Sequence, residues 1–337
     1  MRPLTYSLPK PMAPLLGRPF IGWIIDRLHK AGVDEIILSC CYLPEAIEAH
    51  FGDGRTYGLK LHYVLEREPL GTAGAIRNAA HLIDDAVYVC NGDILVGLDL
   101  RELLAFHRSH DAIATIHTRA VDDPSQFGVV ETDARGRVVR FVEKPKPGET
   151  TACDINAGTY ILERAAIDAI PVGRPVSIER ETFPHLIKTT DRVFARSTAD
   201  YWIDVGRPDT YMQAHRDILD GKFEAPHAPQ VAEKLWCADG KAPDNGVCVA
   251  GPAFMGAGVT LAAGAHLGPY AALYERCVVH AEARIERSVL WPGCRIAKRA
   301  VVRDAILGFD VSVREGSVVA PGSVVGRGEV VESSTIA

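Results

Sequence analysis

Ala86-Val-Tyr-Val-Cys-Asn-Gly-Asp93 is the stretch on which the reading of the first two hundred residues turns. Its first five residues are apolar or β-prone and suit a strand buried on both faces, as in a parallel sheet. Asn91-Gly92-Asp93 then stops the strand with a turn that carries a carboxylate. In open α/β sheets, ligands bind outside the carboxyl ends of the strands, so an acid there faces a site and not the core. Taken alone, the triplet also reads as a plain polar turn. Its neighbours decide.

Upstream, Pro19–Lys30 places Ile21, Ile24, Ile25 and Leu28 on one helical face, and Ala31-Gly32 ends it. Glu35–Ser39 and Lys60–Leu65 read as strands, and Pro44–Phe51 and Ala73–Leu82 as helices. Downstream, Asp99–His110 is helical, Ala112–Thr118 extended and Asp209–Leu219 a late helix. This alternation predicts a Rossmann-like α/β domain on a mixed, mostly parallel sheet. Gly128–Thr132 and Val138–Val142, joined through Asp133-Ala-Arg-Gly136, read as a hairpin inserted into that scheme.

The 337 residues leave room for two domains. A net charge of -6 argues against a non-specific nucleic-acid binder. No apolar run reaches the roughly 18 residues of a membrane helix. The proline-studded N-terminus has no apolar signal core. Eight cysteines without a CxxC pair fit buried, reduced thiols. A cytoplasmic chain with small-molecule substrates is expected, with neither nucleic acid nor membrane as partner.

Four loops carry unusual chemistry. In Pro9-Lys10-Pro11, two prolines are expected to hold Lys10 in an extended segment, suited to a fixed cation meeting a phosphate or to a rigid linker. Glu66-Arg-Glu-Pro-Leu-Gly71-Thr72-Ala73-Gly74 follows a strand and opens a helix, so its glycines and helix-start amides are expected to receive a flat or anionic ligand. Glu143-Lys144-Pro145 ends a strand with an acid and a base side by side. In Trp202-Ile-Asp-Val-Gly206, Asp204 sits between apolar residues before a glycine turn. Asp93 and Asp204 together match what phosphate-bound Mg²⁺ asks of a protein: few carboxylates, the rest water and substrate oxygens.

The ordered set Pro9-Lys-Pro11, Glu68-Pro-Leu-Gly-Thr-Ala-Gly74, Asn91-Gly-Asp93, Phe127-Gly-Val-Val130, Phe141-Val-Glu-Lys-Pro145, Asn156-Ala-Gly158 and Trp202-Ile-Asp-Val-Gly206 resembles the sugar-1-phosphate nucleotidyltransferases. Within them it is most similar to the guanylyltransferases of mannose 1-phosphate. The resemblance implies attack by a sugar-phosphate oxygen on the α-phosphorus of an NTP, GTP in that branch, with pyrophosphate released. It also implies Mg²⁺ on Asp93 and Asp204, and phosphate neutralisation by Lys10 and Lys144. Gly128, Glu143, Asn156, Gly158 and Trp202 would grip the sugar, and Glu66, Gly71, Thr72, Ala73 and Gly92 would border the nucleotide. A thymidylyltransferase of glucose 1-phosphate or another NDP-sugar pyrophosphorylase, and a catalytically impaired sugar-nucleotide-binding regulatory paralogue, are the competing readings. The family opens with Gly-Gly-x-Gly-Thr-Arg-Leu-Arg-Pro-Leu-Thr, whereas this sequence starts at Met1-Arg-Pro-Leu-Thr5, so an upstream start carrying that strand and loop is expected.

From Val249 a period of six appears: Val249, Met255, Leu261, Leu267, Leu273, Val279 and Ile285, then Leu290, Ile296 and Val302, then Leu307, Val313, Val319, Val325 and Val331. A mostly small residue precedes each by two. Hexads of this kind predict a left-handed parallel β-helix of about five coils. The expected domains are 1–222 (catalytic), 223–246 (linker) and 247–337 (β-helix), with a homo-oligomer formed through the β-helix, whose open ends need cover. A β-helix acyltransferase using His266 or His280 is disfavoured, because no long loop interrupts the repeat to build an acceptor pocket.

Overall fold

A computed structural model describes residues 1–332. The chain divides into two compact units: Ile24–Trp202, and Met1–Trp23 together with the chain from Ile203 onward.

In the Ile24–Trp202 unit, five strands lie in the order Val193–Ser197, Ala114–Ala120, Asp154–Leu162, Gly128–Thr132, Val138–Glu143, and Val87–Cys90 joins them through Asp154–Leu162. Glu35–Cys40 and Lys60–Leu65 form a separate parallel pair. The sheet is mixed, as expected, but its ladders are mostly antiparallel. Asp154–Leu162 runs opposite to Val87–Cys90, Ala114–Ala120 and Gly128–Thr132 alike, and only Val193–Ser197 pairs parallel in this sheet. Asp154–Leu162 went unread as a strand because Asn156-Ala-Gly158 breaks its β pattern, and the ladder shifts register between Asn156 and Tyr160. A bulge of this kind re-aims side chains beside it.

Val87–Cys90 is half-buried along its length and not buried on both faces. It pairs with Asp154–Leu162 on one edge, in the register Thr159↔Cys90 to Leu162↔Val87. Near its end lies an apolar groove lined by Ile24, Leu28, Ile94 and Leu100, with Arg27 at its side. The core of the unit gathers Ile116, Val130, Tyr160, Leu162, Ile167 and Phe183. Helix Gly71–Asn78 ends sooner than its apolar pattern suggested, and a 3-10 turn at Ala80–Leu82 takes over.

The second unit is built on a parallel β-helix of three sheets, whose rungs follow one another at 17 or 18 residues, as in Leu267↔Ile285, Ile285↔Val302 and Ile296↔Val313. The hexad residues Leu267, Ile285, Val302 and Leu307 are at most 1% exposed, as are the small Ala265, Ala283 and Ala300 beside them. A second sixfold signal marks the corners. Tyr270, Arg276, Glu282, Arg287, Arg299, Asp304 and Asp310 all adopt left-handed φ, and glycines take the same position elsewhere, as at 258, 264, 293 and 316. Part of the expected linker joins the stack: Leu235–Cys237 pairs parallel with Ala253–Met255 in the register Cys237↔Met255. Cys237 thus sits one full coil ahead of a hexad residue, and it is buried.

The same unit holds helix Pro208–Leu219, which buries Tyr211, Ala214, His215 and Ile218. Trp23 Nε1 donates to Leu15 O at 2.9 Å. Among the described residues, no helix is long and apolar enough to cross a membrane.

Candidate active site

Asp93 stands just past Val87–Cys90, in a half-exposed turn. The turn is fastened to the bulge in the neighbouring strand, since Asn91 N donates to Gly158 O at 2.9 Å. Gly158 has φ +72°, and a Cβ there would lie 2.4 Å from Ile94 Cδ1 and 2.8 Å from Asn91 Nδ2. Asn156 shapes the bulge from within: its Oδ1 accepts from Gly158 N at 3.0 Å and its Nδ2 donates to Tyr160 Oη at 2.7 Å. Trp202 Nε1 closes the group by donating to Ala157 O at 3.0 Å, and its ring meets Phe127 edge-on at 5.7 Å.

Phe127 leads to the acid–base pair. Phe127 O accepts from Lys144 N at 2.9 Å, and Gly128 pairs with Glu143 across the hairpin. A Cβ on Gly128 would come within 2.6 Å of the Phe141 ring and 2.8 Å of Glu143 Oε2, so a side chain there would displace the ring and the carboxylate. Lys144 has φ +51° directly before Pro145. Such a conformation costs about 1–3 kcal/mol in a non-glycine residue and gathers at functional sites. Glu143 is half-buried, and its pKa is raised by burial and by Glu179 against the opposing Lys144 and Arg180.

The glycine-rich stretch differs from its sequence reading. The Ala73 and Gly74 amides are not open to a ligand: both donate to Val176 O, at 3.0 and 3.2 Å. Gly71, at φ +72°, makes room for that carbonyl, which would lie 2.7 Å from a Cβ. What remains exposed is Gly71 and Thr72. Glu66 is similarly occupied, accepting from Ser39 Oγ at 3.1 Å and from Leu70 N at 3.0 Å. It ties the loop to the end of Glu35–Cys40.

The structure therefore brings Gly92 and Asp93, Gly128, Glu143 and Lys144, Asn156, Gly158 and Trp202 around one bulge. Thr72 reaches them through a residue the sequence reading passed over. Its Oγ1 donates to Glu179 Oε2 at 3.0 Å and accepts from Ile178 N at 2.8 Å. The available signal was Ser177-Ile-Glu-Arg-Glu-Thr-Phe-Pro184, an N-cap serine followed by acids and a proline.

Lys10 and Asp204 belong to the other unit. Lys10 is half-exposed but not extended. It opens the 3-10 turn Lys10–Met12, whose second position admits Pro11 because the amide missing there has no partner in a first turn, while Pro9 stays extended. Asp204 ends strand Trp202–Asp204, and Gly206 lies close enough that a Cβ would sit 3.0 Å from Asp204 Oδ1. Among the described residues, no group of three or more His, Cys, Asp and Glu is placed to cage a metal.

The Nucleotidyl transferase family model matches residues 1–221 and that of the GMPPB C-terminal domain residues 249–337, and the chain belongs to the nucleotidyl transferase family. A mannose-1-phosphate guanylyltransferase of Mycobacterium tuberculosis is 41% identical over 289 residues, 85% of this chain and 80% of that protein. A UTP–glucose-1-phosphate uridylyltransferase of Synechocystis is 31% identical over 324 residues, 89% of this chain and 84% of that protein. The crystal structure of HddC from Yersinia pseudotuberculosis complexed with GMP-PN is 32% identical with a TM-score of 0.54, over 64% of this chain and 92% of that one.

Proposed function

We propose that this chain transfers a guanylyl group from GTP to mannose 1-phosphate, giving GDP-mannose and pyrophosphate. The observation that carries this is the 41% identity to a bacterial mannose-1-phosphate guanylyltransferase over 85% of the chain. A protein of the same name from Arabidopsis thaliana, 34% identical over 93% of the chain, supports it. The 31% identical uridylyltransferase favours a second reading, UTP with glucose 1-phosphate.

The sugar-phosphate nucleophile is already an anion, so no base is required, and the barrier is mostly charge repulsion and positioning. Lys144, and Lys10 from its turn, neutralise phosphate oxygens. Glu143 accepts from sugar hydroxyls, with Asn156, Trp202 and the Gly128 and Gly158 backbone shaping that side. Gly92, Gly71 and Thr72 border the nucleotide, while Glu66 and Ala73 hold their loop in place. Asp93 and Asp204 are the carboxylates that the family resemblance assigns to Mg²⁺. A two-carboxylate donor set suits a cation that keeps water and phosphate ligands. Bound there, the ion would neutralise phosphate charge.

All eight cysteines are free, which fits a cytoplasmic enzyme. Val318 and Val330 stand 45% and 51% exposed on two different sheets of the β-helix, and self-association through this domain is the proposed assembly. Sedimentation as a monomer at micromolar concentration would rule the oligomer out.

The test of the activity is pyrophosphate release from GTP, dTTP and UTP, each with mannose 1-phosphate or glucose 1-phosphate. GTP with mannose 1-phosphate should give the highest kcat/KM. No release from any pair would refute the enzyme reading.

A further inference from the structure

Glu179 holds two hydroxyls on one oxygen. Thr72 Oγ1 donates to its Oε2 at 3.0 Å and Ser177 Oγ donates to the same atom at 2.7 Å. The serine hydroxyl in turn accepts from Arg180 N at 3.1 Å. The Thr72 hydroxyl is used twice, since it also accepts from Ile178 N at 2.8 Å. Two segments more than a hundred residues apart are thereby clamped, and the clamp falls at the exposed Gly71-Thr72 corner. Val176 secures the same corner by its backbone, donating to Leu70 O at 2.8 Å and accepting from Ala73 N and Gly74 N. Ile178 and Glu179 lie in Ile178–Thr182, a π-helical turn that Ser177 caps, a rare conformation frequent at functional sites.

The Ile178–Thr182 turn also packs against strand Val138–Glu143, whose last residue is Glu143. The groups acting on Glu143 are Glu179 and Arg180 from this turn and Lys144 beside it, and buried Tyr160 on the neighbouring strand feels both acids. Tyr160 in turn holds Asn156. One carboxylate thus touches the threonine of the glycine-rich turn and lies in the field of the acid at the hairpin end.

We infer that Glu179 is a positioning residue shared by both halves of the site, holding the Gly71-Thr72 corner through the Thr72 hydroxyl while its turn packs on the strand that ends at Glu143. The division into halves rests on the nucleotidyltransferase reading above, whereas the clamp and the charge pairing do not. Glu179 acts through Thr72 and Glu143, and nothing requires it to contact the reacting phosphates.

The experiment compares the full chain with its Glu179→Gln and Glu179→Ala variants by two readouts. The first is the titration midpoint of Glu143, followed by NMR of ¹³C-labelled glutamate carboxyls without substrate and assigned by its loss in Glu143→Gln. Removing the Glu179 charge should move that midpoint to lower pH in both variants, because a like-charged neighbour disfavours ionisation. The second is calorimetric affinity for GTP. An amide oxygen still accepts from Thr72, so Glu179→Gln should stay within about threefold of the parent, while Glu179→Ala should lose about tenfold. A role in stability alone would not shift the midpoint. An unchanged Glu143 midpoint, or equal GTP affinity in all three proteins, overturns the inference. If the parent binds no nucleotide and the midpoint still shifts, the activity proposed above falls and the charge pairing stands.

Discussion

Tyr274 Oη lies 2.8 Å from His215 Nε2, and the hydrogen bond between them has one direction. His215 Nδ1 lies 2.9 Å from the Tyr211 carbonyl, which only accepts, so the imidazole proton is on Nδ1 and Nε2 accepts from the tyrosine hydroxyl. Tyr274 Oη also accepts from Leu16 N at 2.7 Å. A parallel relay runs from Trp291 Nε1 to Tyr211 Oη at 3.0 Å and on to Pro14 O. Side chains of the β-helix thus fasten both the segment after Lys10 and the helix after Asp204. All four are at most 1% exposed. Tyr274→Phe strands a buried amide and a buried imidazole nitrogen, so it should cost roughly 2–4 kcal/mol in urea unfolding. A loss below about 0.5 kcal/mol would contradict the relay. Removing the β-helix would expose Tyr211 and His215, so truncation is expected to damage the catalytic segment as well as any oligomer.

Burial lowers the pKa of His215 from 6.5 to about 4 against a smaller opposing effect of the Tyr211 carbonyl. In the other unit, burial likewise lowers His117 to about 4. The unfolded chain therefore binds protons between pH 6.5 and 4 that the folded chain refuses. These groups' contribution is complete above pH 6.5 and is lost as the pH falls towards 4, at up to ~1.4 kcal/mol per pH unit for each histidine. The denaturation midpoint should drop between pH 7 and 5. In His215→Gln, whose amide oxygen can accept from Tyr274, the slope should be shallower. A wild-type midpoint independent of pH over that range would refute the assignment.

Asp93→Asn and Asp204→Asn keep side-chain shape and remove charge. Both acids are half-exposed, so melting should move little, within about 0.5 kcal/mol. Turnover should fall about a hundredfold or more if each holds the metal. Near-wild-type turnover in either variant would exclude that acid, and collapse of the fold would mark it as structural.

The β-helix was legible because one buried residue recurs every six along a coil of 17 or 18, a constraint that local sequence alone imposes. Its corner residues were harder to see, because Arg276, Glu282 and Asp304 take left-handed φ with no common side-chain chemistry. In the α/β unit, the loops bearing Asp93 and Lys144 were visible as breaks between apolar runs. Asp154–Leu162 was not, since a bulge at Asn156-Ala-Gly158 disguises a nine-residue strand. The Ala73 and Gly74 amides were misread as open for a related reason. A glycine that admits a ligand and one that admits the Val176 carbonyl look alike until the distant segment is folded against it. Glu179 was missed for the same cause, its partner Thr72 lying 107 residues away.

Gly158 offers the sharpest test of how the bulge serves the site. Its φ of +72° is unfavourable to alanine, and the added Cβ would fall 2.4 Å from Ile94 Cδ1 and 2.8 Å from Asn91 Nδ2. Gly158→Ala should therefore cost roughly 2–5 kcal/mol, combining left-handed strain of about 1–2 kcal/mol with repacking of about 1–3 kcal/mol. It must also push Asn91 away, and with it the turn that carries Asp93. Gly148 is the control: it has φ +81°, yet nothing lies within 4 Å of its Cβ position. Gly148→Ala should show the strain alone, about 1 kcal/mol, with turnover unchanged. Measured at a temperature where both variants are fully folded, Gly158→Ala should lose about tenfold or more in kcat, because misplacing a catalytic group by even an ångström is costly. Equal kcat in the two variants would show that the Asn91–Asp93 turn does not depend on the bulge for its position.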